Sequence, residues 1–582
     1  MKAALILSWP IGDEKAQRTV RRIRERLVAD NTPVGFESDG LCVAADSDMV
    51  RRVEPDMHIV GDLFSGGGPT RDWQGTTGTS QADFRVWCAT LLTRCWGSYI
   101  VLRHDGGAPI PLTVFADPIG MRDWVSWRHH GVRIVTCDAD RWLGHFPPAD
   151  LALDLAEIAC LVAHPSEAAE ARPLSGLTHL EAGAVTSIGP SGIRSDRLWT
   201  PRAFVNLHKP QGDPEALAQL VDDCVAAWSA SGDKIIMELS GGFDSAMVAS
   251  SLAQAGRAPL AAFSFYSDQP AGDERRFSRA IAAHLEIPNR ELPLIARALD
   301  DDRLAASAIG IRPGIGSSTF FHDAPVAAEG QALGARMLFT GRGGDALFFQ
   351  HPTPWVAADP WLPGQRKSKA RVEDLARWCQ SSIWTIARHV WTPRLMRDER
   401  APATSPFAAV RAARRPSRWA GPLDGLSVPK RMQIGAIASD RTAFGATLGA
   451  QVMQVVHPLL SQPLIEYALG QSIMALTDGR RDRALARAAF ATRLPASVVE
   501  RRGKGSLGPF FGRVLALSAD RLRGELLEGT LAGVGLIDRP ALEAALDPDH
   551  LMQQDCYTDL LALIVIERWM RRWRERLAQR SA

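Results

Sequence analysis

Between about residues 213 and 340, compact apolar runs alternate with longer stretches whose apolar positions recur at helical spacing. Residues 214–228 read as an amphipathic helix with an acidic first turn, 234–239 as an apolar strand and 244–256 as a helix. A strand at 259–266, a helix at 272–285 and a strand at 336–340 continue the alternation. Strands alternating with helices predict a mainly parallel sheet covered on both faces. The first 150 residues carry a different pattern. A strand opens them within residues 1–10, and short β-branched runs at 98–104 and 112–115 are bounded by Gly, Pro and Asp. Helices are expected at 82–93 and 151–163. The stretch near 165–200 is rich in Gly, Pro and Ser and reads as a link between two domains. Beyond about 365 the pattern is helical, with Arg- and Trp-rich segments ending in 560–580. The expected class is α/β and α+β multidomain, with one domain over 1–200 and a second over 213–582.

Composition narrows this little. Apolar residues make up 46% of the 582 and charged residues 23%, as in ordinary globular protein. The formal net charge of +2 is too balanced to make nucleic acid or an acidic membrane the main partner. Eight cysteines form no Cys-x-x-Cys pair, so a zinc site or disulfide scaffold is not expected and a reducing cytoplasm is. No apolar run approaches a membrane span.

Candidate chemistry sits where strands run into glycine turns. Ser240-Gly241-Gly242-Phe243-Asp244-Ser245 joins the strand at 234–239 to a helix. Its glycines let backbone N–H groups approach an anion, and the helix start adds its dipole and unpaired donors. The geometry suits a pyrophosphate, yet no Gly-Lys-Ser/Thr follows, so it is not a Walker A loop. Asp244 would repel phosphate unless a cation intervened, which points to magnesium. Thr340-Gly341-Arg342-Gly343-Gly344-Asp345 is a second such turn, at the carboxyl edge of the same sheet, and Asp345 offers a second carboxylate.

These motifs resemble those of the ATP pyrophosphatases, and within them the asparagine synthetase branch. The resemblance implies that ATP binds at Leu239, Ser240, Gly241, Gly242, Asp244, Ser245, Phe265, Thr340 and Gly341, and that Asp244 and Asp345 hold Mg2+. The segment from Leu494 through Gly503-Lys504-Gly505 resembles the family stretch that brings a lysine into the active site, so Lys504 is the expected stabiliser of adenylate charge. Arg483 and Arg501 are weaker phosphate candidates. Arg342 stands where many relatives carry an acid; as a permanent cation it is a candidate to bind phosphate or a substrate carboxylate rather than to act as a base.

The N-terminal part resembles the glutaminase half of asparagine synthetases through Trp96–Asp105 and Phe115-Ala-Asp-Pro-Ile-Gly120. This implies a sandwich like that of Ntn hydrolases (glutamine amidotransferases) ahead of an ATP pyrophosphatase domain, an adenine nucleotide α-hydrolase-like parallel sheet with a helical extension. Glutamine hydrolysis there needs an N-terminal cysteine, but Lys2 follows Met1 and the first cysteine is Cys42, so the sandwich is expected to lack its nucleophile. The amine must then come from a substrate. The arrangement looks most like lasso peptide cyclases, which adenylate an Asp or Glu side chain of a precursor peptide and join it to the peptide's N-terminal amine. That implies a precursor peptide, a leader peptidase and a leader-binding protein as partners. A small-molecule or β-lactam synthetase, an ammonia-dependent asparagine synthetase and a non-catalytic nucleotide-binding protein stay open as alternatives. Glu373, His322 and Glu500 are candidates for the base that takes the amine proton, by residue type alone.

Overall fold

A computed structural model describes residues 3–70, 81–104, 112–189, 192–205, 212–315, 319–359, 369–392, 404–553 and 556–581. Its N-terminal part contains two large antiparallel sheets and a two-stranded one. The first runs Thr178–His179, Val125–His129, Val132–Thr136, Leu5–Ser8, Leu41–Ala44, Val34–Ser38. The second runs Gly192–Arg197, Ala184–Gly189, Leu112–Ala116, Trp96–His104, Met57–Ser65, Val50–Glu54. Successive side chains of a strand point to opposite faces, and the packing follows that period. Ala4 and Ile6 join Val43, Val60, Ile100 and Val114 between the sheets, whereas Leu5 and Leu7 turn outward onto helix Glu14–Ala29. Helix Gln81–Arg94 covers the other sheet with Phe84, Trp87, Cys88 and Leu91, against Ile59, Tyr99 and Val101. The order of layers is therefore helix, sheet, sheet, helix.

Two local readings change. The stretch near 165–200 is not a link: Ala184–Gly189 and Gly192–Arg197 form a hairpin that is the edge of the second sheet. Alternating burial over Ala184–Gly189 carries the strand signal that its Gly, Pro and Ser content hides. The helix expected at 151–163 begins only at Leu155, because the Asp154 carboxylate accepts from the N–H groups of Ala156 and Glu157 and so fixes the first turn. Ala152–Leu153 instead pairs with Leu174–Ser175.

The C-terminal part is built on five parallel strands in the order Asn289–Leu294, Ala261–Ser267, Ile235–Glu238, Met337–Phe339, Gln454–Val456. The chain enters at Ile235–Glu238, steps to Ala261–Ser267 on one side, and returns to Met337–Phe339 on the other. The loops after Ile235–Glu238 and Met337–Phe339 therefore flank the point where strand order reverses, the crevice in which open α/β sheets bind ligands. The two edge strands were not foreseen, since Asn289–Leu294 is half polar and Gln454–Val456 has only three residues.

The two parts interlock. The Arg312 Nε donates to Asp123 Oδ2 (2.8 Å), the Arg441 Nε to the Ile119 carbonyl (2.7 Å), and the Trp419 indole to the Pro118 carbonyl (2.8 Å). Helix Tyr557–Ser581 lies against both parts. Its Trp569 and Trp573 are fully buried and both indoles donate to the Gly310 carbonyl, while Arg572 and Arg576 hold Asp140. These tryptophans are packing, not a substrate wall. No helix of the described residues is long and apolar enough to cross a membrane.

Asp117 shows how the sandwich turn is held. Its Oδ1 accepts from the N–H groups of Ile119 (3.1 Å), Gly120 (2.8 Å) and Met121 (3.3 Å), while Oδ2 is buried without a hydrogen-bond partner. Burial pushes the carboxyl up to about 6 against the pull of those N–H groups. A carboxyl raised in the folded state opposes folding once it must ionise, so this cost appears as pH climbs from 3.8 to about 6. Denaturant titrations of wild type and Asp117→Asn should therefore show the wild type losing stability relative to the variant across that window.

Candidate active site

The first loop is shaped by the strand behind it. The Leu239 N–H donates to the Phe263 carbonyl (2.8 Å) and Leu239 is fully buried, which fixes where the chain leaves the sheet. Gly241 then takes φ +75°, a left-handed conformation costly for other residues, and a Cβ there would lie 2.9 Å from the Glu274 carbonyl oxygen. Helix Phe243–Gln254 starts at once, placing Asp244 and Ser245 in its first turn. The Ser240 N–H donates to Ser245 Oγ (3.3 Å), the Gly242 N–H to Ser240 Oγ (3.3 Å), and the two hydroxyls lie 3.2 Å apart.

The second loop presses onto the first. A Cβ on Gly341 would sit 2.4 Å from the Ser245 nitrogen, and one on Gly344 would sit 2.4 Å from Asp244 Cγ. Only glycine permits that approach. Gly344→Ala is expected to displace Asp244 at a cost of ~1–3 kcal/mol from overpacking; a fall in melting temperature checks it. Thr340 is fixed through a short relay. His457 Nε2–H donates to the Ala443 carbonyl (3.2 Å), which leaves Nδ1 to accept from the Thr340 hydroxyl (2.7 Å). The same hydroxyl oxygen accepts from the Arg342 N–H (3.2 Å).

Two basic segments reach the loops from far along the chain. Arg483 Nη1 lies 2.6 Å from Asp244 Oδ2 and also pairs with Asp345 Oδ1, while its Nε donates to Asp482 Oδ2 (2.7 Å). Lys504 Nζ lies 2.7 Å from Asp345 Oδ2. The glycine turn carrying Lys504 is clamped by Glu274, whose Oε1 accepts from the Gly505 N–H (2.6 Å) and pairs with Arg501. Arg501 also donates to the Gly241 carbonyl (3.2 Å) and lies 3.9 Å from the centre of the Phe277 ring, tying the lysine turn to the first loop.

The result is one cavity of about 440 Å³. Ser240, Gly242, Asp244, Ser245, Thr340, Gly341, Arg342, Asp345, Arg483, Arg501 and Lys504 all line it. Leu239, Gly241 and Phe265 stand behind that wall; Phe265 stacks on His322, which does line it, at 4.2 Å between ring centres. Of the three residues considered as bases, only His322 reaches the cavity. Glu373 pairs with Lys369 on helix Lys369–Trp378, and Glu500 is exposed.

Charge in the cavity is set by burial and by these pairs. Burial pushes Asp244 up to about 7, with Arg483 opposing it. Burial acts the same way on Asp345, but Lys504 and Arg483 outweigh it and hold that carboxyl below its ordinary value. Lys504 is raised, because Asp345 outweighs its desolvation. Burial and then the Arg342 cation bring His322 down to about 4, so at neutral pH its imidazole is uncharged, and its buried Nε2 has no hydrogen-bond partner. Glu238 was missed by sequence reasoning. It lines the cavity and burial raises it to about 6. Its signal was present: a single acid near the end of an otherwise apolar strand, two residues before Ser240.

Comparison with known proteins adds the following. No curated protein matches the chain. Among solved structures, the allosteric regulatory enzyme of purine biosynthesis aligns at 9% identity over 67% of this chain and 85% of its own, with a TM-score of 0.19. Glutamine phosphoribosylpyrophosphate amidotransferase from B. subtilis, complexed with ADP and GMP, aligns at 10% identity over 68% and 88%, with a TM-score of 0.18. At such scores neither likeness bears on fold or function. The decisive match is to the asparagine synthase family, over residues 216–571, which contain both glycine loops and both basic segments. That span exceeds half of the 582 residues, and the chain belongs to the asparagine synthase family, whose chemistry is ATP-dependent amide-bond formation.

Proposed function

We propose that the chain is an AMP-forming lasso peptide cyclase. In this reading it adenylates an Asp or Glu side chain of a precursor peptide and joins it to the peptide's N-terminal amine, releasing AMP and pyrophosphate. The observation that carries the adenylation step is the meeting of Asp244, Asp345 and Lys504 in one cavity with the Ser240–Ser245 loop. Three things support the peptide reading: the Gly341-Arg342-Gly343-Gly344-Asp345 turn, the Gly503-Lys504-Gly505 segment, and the state of the cysteines. Burial pushes the thiols of Cys42, Cys88, Cys95, Cys137, Cys160 and Cys224 up, which disfavours a thiolate for glutamine hydrolysis at any of them. A second cavity of about 780 Å³, beside helix Val428–Asp440 and lined by His351 and Ser439, is of a size to take a segment larger than an amino acid, though it shares no lining residue with the first.

The residues fit magnesium. Asp244 Oδ1 is buried with no hydrogen-bond partner, and Asp345 adds a second hard oxygen donor. Among the described residues no group of three or more His, Cys, Asp or Glu could hold a metal ion, so an ion at Asp244 and Asp345 would need its remaining ligands from phosphates and water. The ion supplies neutralisation of phosphate charge. The Ser240 and Ser245 hydroxyls and the helix start would hold the departing pyrophosphate. Lys504 would stabilise charge at the reacting phosphate and acyl oxygens. Of the three candidate bases His322 alone lines the cavity; unpartnered at Nε2, with Phe265 stacked on its ring, it would be the acceptor for the amine proton. Holding both ends of one peptide would make ring closure effectively unimolecular.

Purified protein with Mg2+, ATP, precursor peptide and leader peptidase should release pyrophosphate and AMP and give a product lighter than the linear core peptide by one water. Release driven by a free amino acid, with the peptide inert, would assign the site to a small-molecule amide synthetase instead.

A further inference from the structure

Arg483 stands between Asp244 and Asp345. One guanidinium nitrogen, Nη1, faces Oδ2 of Asp244 and Oδ1 of Asp345 at once, so a single positive centre joins two carboxylates from different loops. The residue is buried, and it holds φ +53°, a left-handed conformation that a non-glycine residue adopts only when its surroundings impose it. Asp482 fixes the Nε end at 2.7 Å and is itself held by Arg487 at 3.0 Å. The guanidinium is thus anchored at one edge and plugged between two acids at the other. The plug is incomplete. Asp244 Oδ1 is left buried without a partner, which a site evolved only for an Arg–carboxylate pair would satisfy.

We propose that Arg483 is an internal counter-cation of the nucleotide-free enzyme: it occupies the metal position between Asp244 and Asp345, and the metal binds only as Nη1 is displaced. The proposal rests on the reading of those two aspartates as metal ligands. Two carboxylates this close, Asp244 buried and Asp345 partly so, repel each other and need a cation in both states of the site. Arg483 supplies it in the empty enzyme, and a divalent ion arriving with phosphate supplies it in the loaded one. The Asp482 contact allows the exchange without removing Arg483 from the cavity, and a guanidinium freed there faces the phosphates with donors to spare. The device keeps the site from loading free metal and couples metal binding to nucleotide binding.

Mn2+ is a direct probe of this exchange, read by its paramagnetic resonance or by calorimetry with no turnover required. Without nucleotide, Arg483→Gln should bind Mn2+ at least about tenfold more tightly than wild type, and its melting temperature should rise on Mn2+ addition while that of wild type stays put. Arg483→Lys keeps the charge on a point donor that cannot bridge all three acids, and should fall between the two. If Arg483→Gln folds only with Mn2+ present, the proposal stands. If it folds under neither condition, Arg483→Lys decides alone: Mn2+ affinity no higher than wild type overturns the proposal, as does the same result in a folded Arg483→Gln. A separate arm tests the metal reading itself. Wild type with ATP should bind Mn2+ in a manner lost in Asp244→Asn; if that binding is indifferent to Asp244, the ligand assignment fails whatever Arg483 does.

Discussion

On the proposed reading, Asp244→Ala should cut pyrophosphate release to background, a loss of at least about 10³-fold, because it would remove at once a metal ligand and the carboxylate that positions positive charge against the phosphates. The variant should still fold. Arg483 keeps Asp345 and Asp482 as partners, so no buried guanidinium is stranded. Alanine also relieves the contact with Gly344 rather than adding to it. A thermal melt close to that of wild type, beside absent turnover, separates loss of chemistry from loss of structure. Turnover within tenfold of wild type would remove Asp244 from the chemistry.

Lys504→Met is expected to lower kcat by about 10²–10³-fold with ATP affinity changed by no more than about threefold, the signature of an interaction made chiefly in the transition state. Lys504 pairs with Asp345, so the methionine variant leaves that carboxylate to Arg483 and the Gln350 amide. Lys504→Arg should recover only part of the rate, since a fork of donors on the clamped turn cannot reproduce a compact charge. Single-turnover measurement of AMP formation tests this; equal losses in ATP affinity and kcat would make Lys504 a binding residue instead.

Much of this site was legible in the sequence because its loops are local. A strand, two glycines and an acid at fixed spacing mark a tight turn at a strand's carboxyl end, so the loops Ser240–Ser245 and Thr340–Asp345 could be picked out directly, and both line the cavity. Arg483 could not be placed so. Its meeting with Asp244 joins residues 239 positions apart, and nothing in the segment around it signals that it bridges two carboxylates. Glu373 and Glu500 show the converse, acids chosen by type that the fold keeps outside the cavity. His322 needed Phe265 beneath it to become distinctive. In the sheet, the buried central strands announced themselves as continuous apolar runs, while the edges, half polar or three residues long, did not. The hairpin over Ala184–Arg197 was hidden for the same reason: its outer strand is almost wholly exposed, so hydrophobic patterning had little to report.

Helix Tyr557–Ser581 closes the molecule by reaching back to Asp140 and Gly310 with two arginines and two tryptophans. Such a clasp makes the sandwich a foundation. Shedding the sandwich would leave Arg572 and Arg576 without Asp140, and shedding the C-terminal part would leave Asp140 without them. A lineage could let one half's chemistry lapse and still be obliged to inherit its architecture.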